Sequence, residues 1–106
     1  MSTVFYLKEN DTRPIMYVTL KDPSGSSVDL TGASADIHVT QPDKTISIDA
    51  AATIANATGG VVYYTFDGTL TAGNYLFEIE VTYPSGLVET FPNIGYGSIV
   101  VAKELA

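Results

Sequence analysis

The chain has no cysteine, no tryptophan, one histidine and only five Lys or Arg in 106 residues. Without cysteine, disulfides, thiolate nucleophiles and Cys-ligated metals are excluded. The lone histidine, His38, stands in no recognisable Ser-His-Asp arrangement, and the G-x-S-x-G nucleophile elbow is absent. The basic residues (Lys8, Arg13, Lys21, Lys44, Lys103) are scattered, and against 12 Asp and Glu they leave a net charge of -7 and a pI near 4.2. No basic patch is available to neutralise phosphates, which disfavours nucleic acid as a partner. Attraction to an anionic membrane is disfavoured for the same reason. No apolar run is long enough to span a bilayer. MSTVFYLKEND lacks a basic segment followed by an apolar one, so no secretory signal is expected. Gly59-Gly60 and Gly95-x-Gly97 lack the strand-to-helix setting of a phosphate loop, and no D-x-[DN]-x-[DN]-G loop occurs. No cofactor, no metal and no enzymatic activity are expected.

What remains is a composition suited to a small β protein: 45% apolar, 16% charged, with seven Tyr and four Phe. The length predicts one domain over residues 1–106. The clearest pattern is GNYLFEIEVTYPSGLVETFP, from Gly73 to Pro92. Tyr75, Phe77, Ile79, Val81 and Tyr83 alternate with Asn74, Glu78, Glu80 and Thr82, the period of a strand with one buried face. Pro84-Ser85-Gly86 reverses the chain, because Pro presets φ and Gly accepts a positive one. Leu87 to Phe91 then returns as the second arm of a hairpin.

The same reading predicts strands over Thr3 to Lys8, Pro14 to Lys21, Ser34 to Gln41, Thr45 to Ala50, Val61 to Phe66 and Ser98 to Ala102. Ala35, Ile37 and Val39 face inward; Asp36, His38 and Thr40 face out. Ala50 to Ala57 is ambiguous: its alanines favour helix, but it is short, uncapped and set among strands, so a continued strand or a loop is expected. Lys103 to Ala106 ends the domain or begins a linker helix. Seven or eight short strands with regular turn signals and no convincing helix predict an all-β, immunoglobulin-like antiparallel β-sandwich, with a small closed barrel as its rival. The immunoglobulin-like type rests on Gly73-x-Tyr75-x-Phe77. That spacing matches a tyrosine corner in which Phe77 fills the position often held by Cys. Gly73, Tyr75 and Phe77 are therefore structural candidates.

His38 is expected to be exposed and without function. Glu78 and Glu80 lie on one strand face about 7 Å apart by strand rise, with Glu89 expected across from them. Such an acidic face is usually solvated, or it pairs with a basic partner. Tyr17, Tyr63 or Tyr64, and Tyr96 cannot all be buried if the alternation holds, and tyrosine is enriched in interface cores. The interface candidates are thus Tyr17, Tyr63, Tyr96, Glu78 and Glu80.

With these residues placed, DTRPIMYVTL, KDPSGSSVDLTGA, GVVYY, AGNYLFEIEVTY, Ser85-Gly86, Glu89-Thr90-Phe91-Pro92 and Ile99-Val100-Val101 occur in an order that resembles the N-terminal immunoglobulin-like domain of the phage baseplate upper protein family. The resemblance implies a non-enzymatic virion protein of the tail or baseplate, from a phage or prophage, assembled in the host cytoplasm. It implies docking of fibre or receptor-binding components onto the tail through other tail or baseplate proteins, with homo-oligomerisation left open. Family members commonly continue with a linker and further domains. The alternative is a carbohydrate-binding or adhesive module of a bacterial surface protein, which predicts aromatics grouped into a platform.

Overall fold

A computed structural model describes residues 4–105; Thr3, predicted to open the first strand, and Ala106 lie outside the described residues. The strands are β1 Val4–Lys8, β2 Met16–Thr19, β3 Ser34–Thr40, β4 Ile46–Asn56, β5 Val61–Tyr64, β6 Gly73–Thr82, β7 Val88–Phe91 and β8 Gly97–Ala102. Among the described residues no helix forms, and Lys103 to Leu105 are irregular.

The hydrogen-bonded order is β1-β8-β6-β3-β4-β5-β2, with β7 also on β6. One layer contains β1, β8, β6, β7, β3 and the first half of β4; the other contains the second half of β4 with β5 and β2. The result is the all-β sandwich of immunoglobulin-like type. Among the described residues all strand pairs are antiparallel but one: β1 runs parallel to β8, from Val4 opposite Ser98 to Lys8 opposite Ala102. No pairing joins β1 to β2 among the described residues, so the path stays open and does not close into a barrel.

The ambiguous alanine stretch is strand. β4 continues through it because its two halves have different partners: Ile46 to Ala52 pairs with β3, and Thr53 to Asn56 pairs with β5. Ladder hydrogen bonds on both sides override the local helix preference of alanine. The central hairpin forms as read, with Thr82 opposite Val88. β7 and β8 then lie end to end along one edge of β6, opposite Ile79–Thr82 and Gly73–Phe77 respectively, with Pro92 to Tyr96 bulging between them.

The core follows the alternation. Ala35, Ile37 and Val39 of β3 meet Tyr75, Phe77, Ile79 and Val81 of β6, and Met16, Leu20, Val62 and Phe66 cover them from the other layer. Ile48 is buried but Ile46 is exposed, where a register shift between Val39 and Thr40 ends the regular pairing. Among the described residues no polar or charged residue is buried.

Turn chemistry fixes the corners. Asp29 Oδ1 accepts from the Thr31 amide at 3.0 Å and its hydroxyl at 2.6 Å, and Asp67 does the same with Thr69 at 3.1 and 2.6 Å. Asp22 accepts from the Ser24 hydroxyl and from the amides of Ser24 and Ser26, and Asp43 from the Thr45 amide at 2.9 Å. Each aspartate stands two residues before a Ser or Thr and closes a side-chain turn. Gly60 is required where it stands: its φ is +71°, and a Cβ would meet the carbonyls of Leu20 and Val28 at 2.8 Å.

Candidate functional site

The outward positions of β2 and β5 form one face. Tyr17 and Tyr63 are directly opposite across the strand pair, with ring centroids 5.5 Å apart and planes at 44°. Tyr17 is 61% exposed. The alternation that sends Met16 inward sends Tyr17 out, and cross-strand aromatic pairing follows from the register. Tyr64, weighed with Tyr63 as the outward residue, instead packs its ring edge-on against Phe66 at 5.2 Å. Burial, and then the nearby charge of Asp67, raise the Tyr64 pKa.

The opposite layer carries the other candidates, so the five residues do not share one face. Glu78 and Glu80 are half-buried on the outer side of β6. His38 lies between two carboxylates, with Nδ1 3.5 Å from Glu78 and Nε2 3.5 Å from Asp49. The expected exposed histidine is therefore half-buried and bridges three strands, because Asp49 and Glu78 are its register partners on either side. Glu89 also departs from expectation. The hairpin register places Thr90 across from Glu80 and Glu89 across from buried Val81. Glu89 instead accepts the Tyr83 hydroxyl at 2.7 Å and the Asn93 amide at 3.1 Å. Burial first, and then Glu89, push the Tyr83 pKa up to about 12.

Tyr96 stands on the link between β7 and β8. Lys44 lies 4.3 Å over its ring and 3.1 Å from its hydroxyl, a cation–π contact made by the turn between β3 and β4. Sequence reasoning missed Tyr6, which is 67% exposed on β1 beside Val4, Leu76 and Val100. The signal was the alternation of VFYLK, where Phe5 and Leu7 turn in and Tyr6 turns out. A groove of about 530 Å³ separates the end of β2 from the β7–β8 link, lined chiefly by Val18, Leu20, Phe77, Phe91, Ile94 and Tyr96.

The structural candidates meet at the start of β6. The Tyr75 hydroxyl donates to the Thr71 carbonyl at 2.7 Å, across the loop that enters the strand. This is the geometry of a tyrosine corner. Gly73 opens the strand, and the buried Phe77 ring lies over Gly97 of β8.

The model of the BppU N-terminal domain matches residues 7–90. The chain belongs to this family. The match runs from β1 through β7 and takes in Tyr17, Tyr63, Tyr75, Phe77, Glu78 and Glu80, while Tyr96 and β8 lie beyond it. The BppU N-terminal domain is a domain of phage baseplate upper proteins, a structural family of the virion tail whose members interact with other tail proteins. The fold is also similar to that of CopC from Methylosinus trichosporium OB3b, with a TM-score of 0.59 and 12% identity over 99% of this chain and 89% of that one. At that identity the likeness is one of fold. A search of curated proteins found no match.

Proposed function

We propose that this BppU N-terminal domain is a non-enzymatic docking module that attaches fibre or receptor-binding components to the phage tail, with residues 1–106 acting as one domain. The family match over residues 7–90 carries this reading. The outward Tyr17–Tyr63 pair supports contact through a sheet face, since tyrosine supplies large contact area at low entropic cost. The absence of a nucleophile motif supports a role without catalysis. The net charge of -7 supports protein partners over nucleic acid or membrane. Glu78, Glu80 and Tyr96 are contact candidates on the opposite layer, where acidic groups would discourage wrong partners. Assembly in the host cytoplasm belongs to the same reading.

Peptide mass spectrometry of purified phage particles tests it. Peptides of this chain should be found in the tail at a fixed ratio to the other tail proteins. Intact particles without the chain would remove the reading.

The second reading is a carbohydrate-binding surface module, and the paired rings of Tyr17 and Tyr63 are the observation in its favour. It predicts saccharide-dependent tyrosine fluorescence that disappears in Tyr17→Ala.

A further inference from the structure

We propose that the free edge of β2 receives an extended strand from another tail protein, one carrying alternating apolar side chains and acidic residues at its two ends. The inference rests on the docking reading and names the edge and the chemistry of what docks.

Among the described residues β2 is paired on one side only, with β5. The direction of its unpaired backbone groups follows from the register. Leu20 N–H donates to Gly60 O at 2.7 Å, and the ladder continues with Val18 opposite Val62 and Met16 opposite Tyr64. In an antiparallel pair, alternate residues turn both backbone groups toward the partner. Met16, Val18 and Leu20 therefore face β5, and the amides and carbonyls of Tyr17 and Thr19 face away from it.

The groove of about 530 Å³ lies along this edge. It exists because β1 pairs with β8 in the other layer and leaves the flank of β2 uncovered. A strand added to β2 would point alternate side chains at Val18, Phe91 and Ile94 across the groove. Ile94 is 91% exposed at its rim.

The charges choose the partner. Sheet edges left open in solution are commonly protected by charge or proline within the strand. β2 has neither, since it reads Met-Tyr-Val-Thr. The charges stand just outside it, at Arg13 and Lys21, both exposed. Among the described residues neither makes an ion pair, the only pairs being those of His38. Two unpaired cations bracketing an open edge, in a chain of net charge -7, match a strand with carboxylates at both ends. A second copy of this chain would bring its own net charge of -7 to the contact.

The test is hydrogen exchange at single amides of the full chain, free and bound to tails assembled without it. In the free chain the Tyr17 and Thr19 amides should exchange fast and that of Val18 slowly. On tails, Tyr17 and Thr19 should slow by about a hundredfold or more, with Val18 little changed. Thr19→Pro removes an outward N–H and leaves the bonds to β5; it should keep its melting temperature and bind tails at least about tenfold more weakly, as should Arg13→Glu with Lys21→Glu. If the chain binds tails while these amides stay fast, the inference is overturned and the docking reading stands. If it does not bind tails, the docking reading fails and the inference falls with it. Protection that grows with concentration in the purified chain alone would assign the edge to a second copy and overturn the inference.

Discussion

At the scale of single residues, Tyr75 and Tyr83 show how a side chain's value is set by what its hydroxyl touches. Tyr75→Phe removes the donation to Thr71 O and keeps the packing. It should cost about 1 kcal/mol, read as a lower urea midpoint with an unchanged slope. Tyr83 makes a different prediction. Its folded pKa is raised from 10.0 to about 12, so its contribution is fully present below pH 10 and is lost as pH rises toward 12. Urea melts across that interval should show stability falling with pH, and less steeply in Tyr83→Phe. The corner at Tyr75 was legible from Gly73-x-Tyr75-x-Phe77, because its partner lies four residues upstream. The setting of His38 was not legible, because Asp49 and Glu78 reach it from other strands. Glu89 was misplaced for a related reason: alternation places residues on faces, but only the turn decides which residues oppose.

At the scale of elements, the seam between β6 and β8 leaves no room for a side chain at Gly97. Gly97 is buried opposite Phe77, and a Cβ there would run into the ring. Gly97→Ala should therefore destabilise by about 1–3 kcal/mol, and Phe77→Leu should recover part of that loss in the double variant. A coupling near zero in the cycle would mean the ring moves aside freely. β3 and β6 were legible as strands with correct faces because each buries one side, and a period of two is then enforced residue by residue. β4 was legible only to Ala50, since alanine carries no strand signal and the pairing that extends it is nonlocal. The shared edge of β7 and β8, and the parallel pairing of β1, depend on contacts distant in sequence. Composition and periodicity do not encode them.

At the scale of the whole molecule, aspartate turns pin corners throughout the sandwich. Hydrogen bonds from neighbouring Ser and Thr hold Asp22, Asp29 and Asp67 below the ordinary value of 3.8, and the Thr45 amide does so for Asp43. A lowered folded pKa gives stability that is present above the unfolded value and lost as pH falls through the folded one. Asp29→Ala and Asp67→Ala should thus melt below the wild type at neutral pH, and the gap should close as the pH falls below 3.8. The larger consequence lies in the parallel pairing of β1 with β8. A pull entering before Val4 and leaving after Ala102 draws these neighbours in opposite directions along their length. The bonds between Val4–Ser98 and Lys8–Ala102 are then loaded together in shear and cannot open one after another. Force applied through the two ends should meet greater resistance than force that peels β7 from β6, which single-molecule pulling from the two pairs of attachment points would compare.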